Sequence, residues 1–245
     1  MAGERLARIL ALLPTGGAVV GGTAHLCEVS AGLASVSGAG IMLMSGDVQR
    51  GSACSSDDVA ALIEELQLTL GEGPCIDAHG QGRPVLEPDL AGPLRPRWPV
   101  FTPPALDAGA RAVFGFPLHV GAVRVGALNL YRDRSGPLSV DQHADTLVMA
   151  GVAARALLVM QAQAEPGALA PELEVGGDFR YAVHQATGMV AVQARCSVGE
   201  ALVRLRAYAF ATDRLLSDIA DEVVARRLRF DEDGYDPWPG SAQER

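Results

Sequence analysis

Lysine is absent from this 245-residue chain, and all 20 basic residues are arginine. That excludes a phosphate loop closed by lysine, a Schiff-base enzyme and a kinase-type lysine. Isoleucine occurs only five times and aromatic residues make up 5%. No uninterrupted apolar run reaches about 18 residues, so no membrane span is expected. The start, MAGERLARILALLP, lacks the long apolar stretch and small-residue cleavage site of a secretory signal. The four cysteines (27, 54, 75 and 196) show no C-x-x-C spacing. They read as reduced, mostly buried thiols of a cytoplasmic protein, without structural zinc. His79, His119 and His143 are too far apart to suggest a metal or heme site, so no metal and no cofactor are expected.

The residues that are present describe a folded chain. Hydrophobic residues make up 49% and charged residues 20%, enough to bury a core and to argue against wholesale disorder. The length fits one or two domains. Charge is uneven: residues 1–175 hold 11 Arg against 18 acids, 176–230 hold 8 Arg against 6, and 231–245 hold one against five. Only the middle segment is net positive. The net charge of −9 opposes whole-chain attraction to nucleic acid or anionic lipid, but not a local cationic surface.

Residues 1–164 mix helical and strand periods. Glu4–Leu13 and Val140–Ala164 read as helices, and Gly17–Ser35 as a small-residue helix. Ser55, Ser56 and Asp57 offer caps for a helix through Leu70, which Gly71-Glu72-Gly73-Pro74 stops. Gly40–Met44 and Arg83–Glu87 are short strands; Ala112–Val120 and Ala122–Tyr131 form a hairpin about Gly121. The pattern predicts an α+β domain with an antiparallel sheet flanked by helices. Residues 165–177 (EPGALAPELEVGG) read as a linker. Residues 178–230 predict an all-α bundle of three helices: Phe179–Gln193, Val198–Phe210 and Leu215–Leu228. Ser197 and Glu200 form a capping box at the second of these. Residues 231–245 read as an acidic, disordered tail.

The stretch QATGMVAVQARCSVGEALVRLRAYAFATDRLLSDIADEVV resembles the ANTAR domain, an RNA-binding output module of bacterial transcription antiterminators. The matching positions are Ala186 and Gly188, then Ser197, Glu200 and Ala201, then Leu205, Arg206 and Ala209, and last Ile219, Ala220 and Val223. Thr187 stands where such domains often carry lysine. The fragments LGEGPCIDAHGQGRPVLEPDL, RWPVF, FGFPL and VGALNLY resemble, over residues 17–160, the GAF domains fused to ANTAR modules in actinobacteria.

The pair of resemblances implies a cytoplasmic, non-enzymatic antitermination regulator: a GAF sensor of an unknown signal, and an ANTAR module that binds tandem stem-loops in transcript leaders. Guanidinium forks suit phosphates and base edges, and planar or polar side chains suit looped-out bases. The expected RNA contacts are therefore Gln185, Thr187, Arg204, Arg206, Tyr208 and Arg214. Some of these have plainer roles open to them: arginines paired with Asp213, Asp218, Asp221 or Glu222, and a packed Tyr208. Arg226, Arg227 and Arg229 form a basic cluster where a helix C-terminus favours cations in any case. Cys75, Trp98, Phe101, Phe114, Phe116 and Tyr131 are candidates to wall a ligand pocket, or simply core. Leu147, Val148, Val152, Leu157, Leu158 and Met160 suggest a homodimer seam, which would set two RNA-binding units against two hairpins. Two other functions fit parts of the pattern. One is a helix-turn-helix DNA-binding factor built on LLSDIADEVV. The other is a GAF-type thiol-dependent methionine sulfoxide reductase using Cys54 and Cys75.

Overall fold

A computed structural model describes residues 2–13, 23–45, 48–92, 96–162, 170, 173, 177–212, 214–231 and 235–237. The chain divides into two compact units, residues 1–176 and 177–245.

In the first unit a five-stranded antiparallel sheet runs β2-β1-β5-β4-β3, from β1 (Gly38–Ser45), β2 (Val48–Ser55), β3 (Val85–Glu87), β4 (Ala112–Val120) and β5 (Val123–Arg132). The β4–β5 hairpin turns at Gly121, whose φ of +59° favours glycine. Strand alternation gives the sheet two faces. Ile41, Leu43, Phe114, Phe116, Leu118, Leu128 and Leu130 form one apolar cluster with Leu26 and Ala34 of α2 (Ala24–Ala34) and with Met149, Ala153 and Leu157 of α6 (Val140–Ala162). Among the described residues α6 is the one helix long and apolar enough to cross a membrane, but that apolar side lies in the core. Helix α1 (Ala2–Ala11) is locked onto α6 by Arg5 on Asp141 and Asp145 and by Arg8 on Asp145.

The other face is covered by α3 (Asp58–Leu70) and α4 (Pro74–Gln81), with α5 (Thr102–Asp107) following. Asp57 caps α3, its carboxylate accepting from the Ala60 amide at 2.8 Å. The sequence pattern misses three of these elements. Strand β2 (VQRGSACS) is a polar edge strand whose register shifts twice against β1, so it has no clean alternation to detect. Helices α4 and α5 are short and open on proline, and their Gly and Pro neighbours read as turns. The helix expected over Gly17–Ser35 runs over Ala24–Ala34, with its first residues outside the described set.

The cysteines depart from expectation. Cys27 of α2 and Cys54 of β2 form a disulfide, with Cα atoms 6.2 Å apart. Packing α2 across the edge of the sheet brings the pair within bonding reach, which a spacing of 27 residues gives no hint of. Within the expected linker, Ala170 and Leu173 are buried in the first unit's core, because each supplies an apolar side chain to the α6 side.

The second unit holds α7 (Gly177–Gln193), α8 (Val198–Ala211) and α9 (Leu216–Val224). The capping box is present: Ser197 Oγ accepts from the Glu200 amide, and Glu200 Oε2 accepts from the Ser197 amide at 2.9 Å. Ala186, Ala201, Leu205, Ala209, Ile219, Ala220 and Val223 are fully buried, so the motif residues are mostly the packing seam of three short helices. Two further elements replace part of the expected helix and tail: β6 (Leu228–Phe230) pairs with β7 (Tyr235–Pro237). Phe230 accounts for this, since it is 2% exposed and anchors the hairpin. The remainder of the expected disordered tail lies outside the described residues.

Candidate functional site

The α3/α4 face of the sheet mixes small and polar residues with the apolar Met42, Met44 and Ala127. In register across three strands, Gly40, Asn129 and Gly115 stand side by side and point to the same face. A Cβ at Gly115 would meet the Pro74 carbonyl oxygen at 2.3 Å, so only glycine lets the start of α4 approach the sheet this closely. A Cβ at Gly40 would fall 2.5 Å from the Glu64 carboxyl carbon. Asn129 therefore sits between a buried carboxylate on one side and the Pro74–Cys75 backbone on the other.

Glu64 is buried and its Oε2 accepts from Ser55 Oγ at 3.0 Å. Gln67 is buried and its Oε1 accepts from the Cys75 amide at 2.8 Å. Asn129 is fully buried, and among the described residues neither its Nδ2 nor its Oδ1 has a hydrogen-bond partner. A buried, unsatisfied amide is costly and uncommon, so it marks a position where polar chemistry is kept for a reason other than stability. Cys75 lies in the same layer, packed with Met42, Met44 and Ala127. Burial, with the nearby Glu64 charge, pushes its thiol well above the usual range, so it stays protonated and a poor nucleophile.

The expected pocket residues do not converge on this place. Strand alternation puts Tyr131 on the α3/α4 side and Phe114 and Phe116 on the α6 side, and Cys75 of α4 packs onto the former. Tyr131 donates to Asp57 at 3.0 Å. Burial, and then that contact and the charges of Asp57 and Asp133, raise its phenol to about 12. Trp98 and Phe101 pack edge to face at 6.0 Å beside α4, with Trp98 Nε1 donating to Asp77. The Gly-Glu-Gly-Pro turn is a joint: Glu72 accepts from the Val100 and Phe101 amides at 3.0 and 3.2 Å. Asn129 was not among the expected residues; a lone Asn inside the apolar run VGALNLY was the signal for it.

In the second unit the expected RNA contacts are placed unevenly. Gln185 is exposed. Thr187 is 3% exposed and donates to the Val183 carbonyl at 2.6 Å, so its hydroxyl is turned into its own helix. Arg204 donates to the Asp231 carbonyl at 2.8 Å. Arg206 is half-buried, and burial lowers its pKa. Tyr208 packs edge to face on Phe230 at 5.6 Å. Arg214 makes a two-pronged contact with Glu222 at 3.1 Å, which raises its pKa. Apart from Arg195, the exposed cations among the described residues of this unit lie further on. Arg226, Arg227 and Arg229 are exposed beyond the end of α9 and make no ion pair among the described residues. Arg226 holds a left-handed backbone at φ +58°, and Arg227 is fixed by its amide on the Glu222 carbonyl at 2.7 Å. Gly188 is exposed in mid-helix, and a Cβ there would meet nothing within 4 Å.

No family model matches the chain, and no curated protein matches it. Solved structures do resemble it. The GAF domain of a phosphoenolpyruvate-protein phosphotransferase from Coxiella burnetii has 12% identity and a TM-score of 0.51, covering 66% of this chain and 95% of that one. The GAF domain of the Acinetobacter phosphoenolpyruvate-protein phosphotransferase has 12% identity and a TM-score of 0.50, covering 66% and 96%. The first unit has a GAF fold. In this GAF-fold unit the Asn129 layer lies between the sheet and α3/α4, beside the apolar cluster of Met42, Met44, Ala127 and Cys75.

Proposed function

We propose that this chain is an RNA-binding regulator of transcription termination, in which a GAF-fold sensor unit governs an ANTAR-like helical unit. Exposed guanidinium groups with no ion pair among the described residues carry the reading, on a helical module. Three of them, Arg226, Arg227 and Arg229, follow one another over four residues. Such a cluster binds phosphate by counterion release whatever the sequence. Specific readout then falls to Gln185 and to the exposed backbone at Gly188, where an added Cβ would meet nothing within 4 Å. The arginines on and after α8 serve the fold as much as the RNA, since Arg204 holds the Asp231 carbonyl just after β6 and Arg214 ties to α9.

The sensor reading rests on the GAF fold of the first unit; a small ligand carrying both a donor and an acceptor satisfies the buried Asn129 amide only once α4 moves off the sheet. Homodimerisation uses the outer side of α1 and α6, where Leu6, Leu10, Leu147 and Val159 are exposed. Val152, Leu157 and Met160, expected in that seam, instead serve the unit's own core. A reductase built on Cys54 and Cys75 finds no support, since Cys54 is bonded to Cys27. Duplex DNA is the poorer partner, because α9 presents Asp218, Asp221 and Glu222 in nine residues.

The test is binding by the full chain to an RNA with two short-loop hairpins, against a scrambled RNA and a DNA duplex of equal length. Preference for the hairpin RNA supports the reading. Equal affinity for all three overturns it, and preference for duplex shifts the function to DNA.

A further inference from the structure

We propose that Cys27 and Cys54 form a reversible redox clamp that fixes the edge of the sheet and thereby sets the state of the GAF-fold unit. This input is separate from a bound ligand and does not depend on the RNA reading. Three observations carry it. First, the bond joins two elements that have other attachments. Leu26 and Ala34 seat α2 in the apolar core, and Thr23 Oγ1 donates to the Ala53 carbonyl at 2.6 Å. Helix α2 therefore stays in place when the bond opens, and the two sulfurs remain close enough to bond again. Second, β2 is the edge strand, paired only to β1, with register shifts between Ile41 and Met42 and between Leu43 and Met44. An interrupted edge ladder opens readily, so a covalent tie there changes more than one in the sheet centre would.

Third, alternation places Cys54 on the α2 side and the next residue, Ser55, on the side of α3. Ser55 Oγ reaches Glu64, and Ser56 Oγ accepts from the Ala39 amide at 2.8 Å and donates to Asp57 at 2.7 Å. The clamp thus holds the strand end that supports both the buried carboxylate and the cap of α3. Closing the bond tightens the polar layer beside Asn129; opening it frees that end of β2.

The chemistry balances with a peroxide as oxidant. Both cysteines are buried, and Cys54 is the more exposed residue, at 7% against 0% for Cys27. Its thiolate attacks one peroxide oxygen, breaking the O–O bond, giving a sulfenic acid and one water after protonation. The Cys27 thiolate then displaces the sulfenic oxygen, which leaves as a second water, and the S–S bond forms. Two thiols are oxidised and one peroxide is reduced. A thiol reductant such as glutathione reverses the step by exchange. Cys75 takes no part, being buried on the opposite face of the sheet and held protonated.

The experiment uses the full chain, equilibrated with glutathione at graded reduced-to-oxidised ratios and, separately, with hydrogen peroxide. Peptide mass spectrometry reads the cross-link, and backbone hydrogen exchange reads residues 51–60. The clamp predicts a Cys27–Cys54 cross-link that forms and breaks across the glutathione series. It also predicts exchange slowed by about tenfold or more at residues 51–60 in the oxidised form. Cys75→Ser should keep both effects, and Cys27→Ala with Cys54→Ala should hold the fast-exchanging state under every condition while keeping wild-type circular dichroism. A bond that persists at every ratio overturns the proposal, as does one that never forms. A cross-link to Cys75 or Cys196, equal exchange in both states, or a double variant that fails to fold where the reduced wild type is folded would overturn it too.

Discussion

Replacing Asn129 with leucine gives the sharpest expectation, because the change keeps the branched heavy-atom skeleton of the side chain while removing an amide that no described residue satisfies. Asn129 is fully buried, and among the described residues both of its polar atoms lack a hydrogen-bond partner. Burying such a group costs about 1–3 kcal/mol on mutational scales. Leucine removes that cost, and its branched end meets the apolar part of the same layer, where Ala127, Met42 and Cys75 pack. Asn129→Leu should therefore stabilise the first unit by about 1–3 kcal/mol. For a domain of this size each kcal/mol moves Tm by about 2–4 °C, so the shift is roughly 2–12 °C upward. Calorimetry of the full chain, following the transition of the first unit, measures it. The gain in stability should come with loss of response to any ligand of this face, which is the usual trade at a site kept for function. A variant destabilised by 1 kcal/mol or more would show that the amide makes native bonds, and the site argument would fail.

Three further expectations follow the same logic. Gly188→Ala should stabilise the second unit by about 0.5–1 kcal/mol, since the added methyl meets nothing within 4 Å; thermal melting checks this, and RNA affinity should fall if the exposed backbone there is a docking surface. Tyr131 has its phenol raised to about 12 in the fold, from an ordinary value of 10.0. The unfolded chain therefore ionises first, and the Tyr131 contribution is whole below pH 10 and lost as pH rises toward 12; Tyr131→Phe should flatten that part of a denaturant-stability profile. Arg226→Gln with Arg227→Gln and Arg229→Gln should lower the slope of log affinity against log salt by about 2–3, and an unchanged slope would remove these residues from the RNA face.

Much of the architecture was legible from the sequence for identifiable reasons. The β4–β5 hairpin, α3 with its Asp57 cap and the Ser197–Glu200 capping box each carry a local signature that no tertiary contact overrides. Strand β2 was not legible, because an edge strand with two register shifts and small polar residues has no period to find. The disulfide was hidden because it depends on α2 crossing β2 rather than on spacing. The sites were harder still. Aromatic residues drew attention as pocket walls, but strand alternation sends Phe114 and Phe116 to the apolar face, and the polar layer is made by glycines and one asparagine instead. In the helical unit the arginines inside the motif were the natural choice for RNA. Position within a motif of buried small residues also means proximity to the packing seam, and Arg206 and Arg214 are drawn into it.

The most direct measurement is the affinity of the full chain for a fluorescent RNA carrying two short-loop hairpins, titrated at several salt concentrations beside a scrambled RNA of the same length. An ANTAR-like unit binds the paired hairpins more tightly at every salt, with affinity falling as salt rises. Identical curves for the two RNAs, or no binding at low salt, would contradict that reading.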